Sequence, residues 1–377
     1  MDKSSNCDNP NKCCCGSEAE ESQCCMDSSI EIIVSADEKW VSSRVSTPIG
    51  DVLQVSTILN IHDKLGAWKV RWGIHRMNYK IDPGLYCVGV ADNKSPVFVT
   101  GNYKLTFDML RKELSGINAW ILVLDTKGIN VWCAAGKGTF GTDELVKRIS
   151  LAELSEVVSH KTLILPQLGA SGVSAHEVQK RSGFRVIYGP VRASDIKEFI
   201  NNGMKATSEM REVKFTTYDR LVLTPVELVG TFRLTMIIFG VLFILNLFAA
   251  NPFGTVEFYG YLGALIVGCF FVPVLLPWIP GRAFAWKGWL LGIIWAVLVN
   301  TLNGGPFYPE YGLVRALAYM LILPAVSAYY AMNFTGCSTY TSLSGVLKEM
   351  KIAIPAIIIS IATGGILIIL STFVPGL

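Results

Sequence analysis

Five apolar segments, near residues 233–250, 257–278, 284–302, 314–334 and 352–374, follow one another in the C-terminal part of the chain. A bilayer span needs about 20 predominantly apolar residues, and runs of about 17 suffice. Backbone inside lipid must satisfy its own hydrogen bonds, so such segments fold as helices. An all-α domain of five transmembrane helices is therefore expected over 233–377. The third span is the weakest, because Lys287 trims its uncharged core. Most Lys, Arg, Asp and Glu residues precede residue 230. The chain thus reads as a polar domain followed by a membrane domain, in keeping with its 377 residues and 51% hydrophobic content.

The loops set an orientation. Those near 251–256 and 303–311 lack Lys and Arg, whereas those near 279–287 and 335–351 carry Arg282 and Lys287, then Lys348 and Lys351. By the positive-inside rule the latter pair face the cytoplasm. Arg211, Lys214 and Arg220 put the N-terminal domain on that side. The expectation is a multi-pass protein of the cytoplasmic (inner) membrane, with its C-terminus outside. Arg315, at the outer edge of the fourth span, runs against the rule. Span interiors almost free of ionisable groups argue against a pump. An anchor that offers a docking surface and a conduit for small molecules both stay open. The net charge of +3 gives no reason to expect nucleic-acid binding.

Residues 1–29 hold Cys7, Cys13, Cys14, Cys15, Cys24 and Cys25 in a polar, low-complexity stretch, read as a disordered tail. It lacks the apolar core of a secretory signal, so a cytoplasmic domain with thiols rather than disulfides is expected. The spacing fits neither the C-x2-C-x2-C-x3-C of a bacterial ferredoxin nor the paired C-x2-C units of a zinc site. No intrinsic Fe–S cluster is expected. Paired thiols capture soft metal ions, and an incidental tail is equally open.

From about 30 to 205 strand-like and helix-like runs alternate, and 206–232 reads as a linker. Strands are expected at Trp68–Ile74, Leu85–Val90, Pro96–Thr100, Ala119–Leu124, Thr162–Leu165 and Phe184–Tyr188. Helices are expected at Leu105–Leu114, Asp143–Val158 with Thr142 as N-cap, Ser174–Arg181 and Ala193–Asn201. Alternation of this kind implies an α/β fold with a parallel sheet. Such sheets bind ligands at the carboxyl ends of their strands. The loops Asn130–Gly141, Pro166–Gly172 and Gly189–Pro190 all fall there, and make Gln167, Gly169, Gly172 and Gly189 pocket candidates.

The octapeptide 130–137, N-V-W-C-A-A-G-K, sets Cys133 among Trp132, Lys137 and the glycines 136, 138 and 141. From the residues alone, Cys133 is either a small buried apolar residue or a reactive thiol. Gly136-Lys137 does not make a phosphate loop, since Val131 and Gly138 stand where Gly and Ser or Thr are required. Cys87 and Cys269 read as packing residues. The segment Asn60-Ile61-His62 lacks the Asp of the D-x-H-x-x-G cobalamin pattern, and its glycine, Gly66, comes one residue late. His62 reads as a surface residue, His160 as a structural helix-end residue, and His176 as a weak contact candidate.

The stretch N-V-W-C-A-A-G-K-G-T-F-G-T (130–142) closely resembles the corrinoid protein family of microbial mercury methylation (the HgcA family). K-V-R-W-G-I-x-R (69–76), P-G-L-Y (83–86), L-P-Q-L-G-A-x-G-V (165–173), G-F-R-V-x-Y-G-P (183–190) and the five-span tail extend the likeness to nearly the whole chain beyond residue 29. The same domain is similar to the cobalamin-binding part of the corrinoid iron–sulfur protein of acetyl-CoA synthesis. The resemblance implies a Rossmann-like domain that binds cobalamin or a related corrinoid base-off. Cys133 then corresponds to the lower axial cobalt ligand, and Asn130, Val131, Trp132, Ala134, Ala135, Gly136, Lys137, Gly138 and Thr139 to the cofactor-facing cap. It implies methyl transfer to Hg(II) by way of methyl-Co(III), with a donating thiolate favouring departure of the methyl group as a carbanion equivalent or radical. It also implies a methylated folate-type donor and a ferredoxin-like partner with two [4Fe–4S] clusters. The competing expectation is a membrane-anchored soft-metal-binding protein without catalysis.

Overall fold

Side chains that are apolar on both faces need cover on both faces, and Ala119–Leu124 is such a strand: all six residues are buried. In the computed structural model, which describes residues 39–248, 254–305, 312–338 and 343–373, this strand lies at the centre of a seven-stranded sheet. The Cys-rich segment 1–29 lies outside the described residues. The strands are β1 (Val41–Thr47), β2 (Gly50–Val55), β3 (Gly84–Val88), β4 (Val97–Gly101), β5 (Ala119–Leu124), β6 (Thr162–Leu165) and β7 (Arg185–Tyr188), in the order β1-β2-β3-β5-β4-β6-β7. Strands β5, β4, β6 and β7 run parallel. The sheet is mixed, however: β3 is antiparallel to β5, and β1–β2 is an antiparallel hairpin that the residue pattern did not announce. Its outer strand is largely exposed, so it lacks an apolar alternation to read.

The α/β domain carries α1 (Ile61–Arg71), α2 (Lys104–Glu113), α3 (Val131–Lys137), α4 (Thr142–Leu151), α5 (Leu154–Val157), α6 (Ala175–Ser182), α7 (Ile196–Asn201) and α8 (Ser208–Arg211). Helix α1 replaces most of the strand expected at Trp68–Ile74. The alternation W-K-V-R-W imitates a strand, but a capping box decides otherwise. Asn60 Oδ1 accepts the Asp63 amide at 2.9 Å, and Asp63 returns the bond to the Asn60 amide at 3.0 Å. The single helix expected over Asp143–Val158 is broken by Glu153, whose φ is +39°. Thr142 is the first residue of α4 rather than its cap, which is Gly141; its hydroxyl accepts the Ser174 amide instead.

Five helical stretches are long and apolar enough to cross a membrane. They are α9 (Thr217–Phe248); α10 (Thr255–Ile266) continued by α11 (Val272–Leu275); α12 (Phe284–Leu302); α13 (Leu313–Asn333); and α14 (Leu343–Phe373). Residues 217–232, expected as linker, are the first four turns of α9. A π-helical turn at Val267–Phe271 precedes Pro273, which has no N–H to continue the α-helical ladder. Gly288 and Gly292 let α12 meet α13 at backbone distance: a Cβ on Gly292 would fall 2.6 Å from the Pro324 Cα. Glu257 and Lys287 are buried near helix ends and are each paired. Glu257 accepts from Arg315 at 3.0 Å and from the Tyr319 hydroxyl, and Lys287 donates to the Leu276 carbonyl. Arg315 is thus half of an ion pair.

Candidate functional site at the carboxyl edge of the sheet

The four parallel strands finish on one edge, at Leu124, Gly101, Leu165 and Tyr188. Just beyond β4, the buried Asn102 organises the loop that follows β5. Its Oδ1 accepts the Thr126 amide (3.1 Å), the Thr126 hydroxyl (2.9 Å) and the Gly128 amide (2.9 Å), while its Nδ2 donates to Asp125 at 3.2 Å. Gly128 takes a left-handed φ of +72°, which closes the turn without strain. Burial pushes the Asp125 carboxyl up, but hydrogen bonding to Lys127 more than reverses this and holds it below the usual range. Sequence reading missed Asn102, since nothing marks a lone Asn after a strand.

This loop delivers Asn130 as the N-cap of α3, and its Oδ1 accepts the Cys133 amide at 2.9 Å. The expected loop 130–141 is therefore mainly a short helix. Val131, Ala134 and Ala135 turn onto the sheet and are buried. Trp132, Cys133, Gly136 and Lys137 share the other face, as their spacing in a helix dictates. Trp132 is 41% exposed, Cys133 is half-buried, and Gly136 and Lys137 are exposed. A Cβ placed on Gly136 would meet nothing within 4 Å. Glycine inside a helix costs about 1 kcal/mol relative to alanine, and no packing within the chain requires it here. Gly138, at φ +79°, ends the helix, and the half-buried Thr139 donates to the Ala134 carbonyl at 3.4 Å.

Gly169 and Gly172 come up against α3 but serve packing. A Cβ on Gly169 would lie 2.5 Å from the Phe140 ring, and one on Gly172 would lie 2.2 Å from the Phe140 carbonyl oxygen. Gln167 is half-buried and accepts from Arg211 at 3.4 Å. Gly189 stands apart, at the end of β7. With Asn130 and Val131 it lines a cavity of about 370 Å³ walled by apolar residues such as Phe98 and Ile164, by Val222 and Leu223 of α9, and edged by Arg71 and Arg76. Neither arginine stands out as a site residue in the sequence, where Arg71 falls inside the expected strand Trp68–Ile74 and Arg76 just beyond it.

A second polar constellation escaped the sequence entirely. Asp63 and Asp108 pair with Lys104 and Arg111 at 2.7–2.9 Å, with Arg111 fully buried, and so tie α1 to α2. Each charge is compensated, so the cluster reads as a structural clamp rather than a titrating centre. His62 and His176 are exposed, and His160 contacts the Ser95 carbonyl at 2.9 Å. Cys87 and Cys269 are buried, so among the described side chains Cys133 is the thiol with access to solvent. No convergent group of three His, Cys, Asp or Glu exists among the described residues.

Fold and site together give an α/β domain with a half-exposed thiol at the carboxyl edge of its sheet, joined to five helical stretches long and apolar enough to cross a membrane. Residues 40–200 match the model of the family described as CO dehydrogenase/acetyl-CoA synthase delta subunit. The chain is 32% identical over 188 residues to the acetyl-CoA decarbonylase/synthase complex subunit gamma of Methanocaldococcus jannaschii, a match covering 48% of this chain and 38% of that one. It is 35% identical over 115 residues to subunit gamma 2 of the same complex from Methanosarcina thermophila, covering 29% and 24%. It is 30% identical over 122 residues to the corrinoid/iron-sulfur protein large subunit of Moorella thermoacetica, covering 32% and 27%. The α/β domain is related to these subunits, and the matches span little more than a third of the relatives' length at most.

Proposed function

We propose that the α/β domain binds a corrinoid base-off over the outer face of α3, with Cys133 as lower axial ligand of its cobalt, and that the protein methylates Hg(II). The observation that carries this reading is the pairing of a half-buried thiol with the open backbone of Gly136, one helical turn on. A broad planar ligand needs such a bare surface, and a thiolate is one donor that could hold a metal ion above it. The relation to the corrinoid/iron-sulfur protein large subunit supports the choice of ligand. When bound, the corrinoid supplies a cobalt centre that carries a methyl group between donor and acceptor.

The residues of this chain then have distinct tasks. Asn130 fixes the first turn of α3 and hence the position of Cys133. Cys133 would hold the cobalt of a bound corrinoid, and a thiolate donor there would favour release of the methyl group as a carbanion equivalent to the electrophilic, thiol-bound Hg(II). Trp132, exposed beside the thiol, shields the edge of the ligand from water. Lys137 and Thr139 meet its polar periphery. A methylated folate-type compound is the proposed donor, and a ferredoxin-like protein with two [4Fe–4S] clusters the proposed electron source. The five apolar helices hold the domain on the inner face of the cytoplasmic membrane.

The test is anaerobic methylation of Hg(II) by membranes containing wild type or Cys133→Ala at equal protein levels. The variant should lose activity by about 100-fold or more, beyond the 10–100-fold typical of losing an outer-shell partner. Full activity in the variant would refute the thiolate role. Mercury binding without corrinoid retention would instead favour a soft-metal-binding protein.

A further inference from the structure

Helix α1 presents its apolar face outward. Ile61, Leu65 and Trp68, at i, i+4 and i+7, are 63%, 49% and 56% exposed, while Asp63 and Val70 on the opposite face are buried. A surface helix of a water-soluble domain shows the reverse arrangement. Exposed Lys64 and Lys69 flank the stripe on either side. Beyond the helix, Ile74 and Met77 continue the exposed apolar surface.

The position of α1 against α9 says what covers this surface. Trp278, Trp286 and Trp289 are exposed at one end of the membrane bundle, and the Arg220 guanidinium of α9 lies 5.7 Å from the Trp278 ring. Exposed tryptophans at the ends of spans mark the headgroup level. Helix α1 packs against α9, and a Cβ on Gly73 would lie 3.6 Å from Val226 and 3.9 Å from Val229. At 1.5 Å per residue, Val226 and Val229 lie about 9 to 14 Å along α9 from Arg220, on the bilayer side. The C-terminal end of α1 therefore lies against the N-terminal turns of α9, at the end of the bundle that carries these tryptophans.

We infer that α1 is an interfacial helix, lying in the headgroup–acyl boundary of the bilayer that the five spans cross. Its Ile61–Leu65–Trp68 stripe is immersed in lipid, and Lys64 and Lys69 pair with anionic headgroups. Helices of this kind bury their apolar face about 5–10 Å into the boundary. The clamp from Asp63 to Lys104 and Arg111 then transmits a fixed height above the membrane to the sheet and its carboxyl edge.

The experiment uses the full chain with 5-fluorotryptophan in nanodiscs containing phosphatidylglycerol, with Trp68→Phe and Trp286→Phe identifying the two fluorine resonances. A headgroup-proximal nitroxide lipid should broaden the Trp68 resonance at least as much as that of Trp286, and a water-soluble gadolinium chelate should spare it. Broadening by the chelate alone would overturn the inference and leave the stripe open to a soluble partner. A resonance spared by both probes would overturn it in favour of cover by protein. Replacing Lys64 and Lys69 by Glu should reduce the nitroxide effect about two-fold in anionic discs, since each lysine at a charged surface adds about 1 kcal/mol. An unchanged effect would overturn the role of anionic headgroups.

Discussion

The Cys133 amide donates to the side-chain oxygen of Asn130 across 2.9 Å, so the residue that starts α3 also fixes the residue that bears its thiol. Removing an N-cap side chain costs about 1 kcal/mol. Asn130→Ala should lower the unfolding free energy by that amount, read as a lower denaturant midpoint, and speed amide exchange in the first turn of α3. Asn130→Asp, which keeps the acceptor, should do neither.

Two glycines in the site should respond oppositely to alanine. At Gly172 the added Cβ would fall 2.2 Å from the Phe140 carbonyl oxygen and 2.9 Å from the Ala135 Cα, both backbone atoms that cannot step aside. Gly172→Ala should therefore cost about 1–3 kcal/mol of stability. At Gly136 the space is open and the backbone helical. Gly136→Ala should raise the stability of the corrinoid-free protein by about 0.5–1 kcal/mol while weakening corrinoid binding. Thermal unfolding and corrinoid titration of the same variant check both halves.

Burial acts to raise the Asp63 carboxyl, and the hydrogen bonds and charges of Lys104 and Arg111 outweigh it, so its folded pKa is lowered. The unfolded chain thus takes up this proton at a higher pH than the folded one. The stability it contributes is present above the ordinary Asp range, near pH 4, and is lost as pH falls through the lower folded value. Denaturant midpoints of the α/β domain should fall with acid below about pH 4, and less steeply in Asp63→Asn. Asp63→Ala should cost about 3–5 kcal/mol at neutral pH, because it leaves Lys104 and Arg111 with only the Asp108 carboxylate between them.

The spans and the central strand were legible because apolar runs of about 20 and about 6 residues have few alternative folds. The octapeptide was legible as a unit, though not as a helix: α3 is held by Asn102 and by the loop around Gly172, contacts far away in sequence. Helix α1 misled because Trp68–Trp72 satisfies both periodicities, and the choice lies in the Asn60–Asp63 capping box. The buried clamp was hidden for a similar reason. Lys104, Asp108 and Arg111 look like an ordinary charged helix face until Asp63 arrives from 41 residues away.

The most direct test of Cys133 as the cobalt ligand is the anaerobic ultraviolet–visible spectrum of the full-length protein reconstituted with methylcobalamin, beside Cys133→Ala. A base-off spectrum with thiolate character, present in the wild type and absent from the variant, is the expected result. Identical spectra from the two proteins, or no corrinoid retained by either, would contradict it.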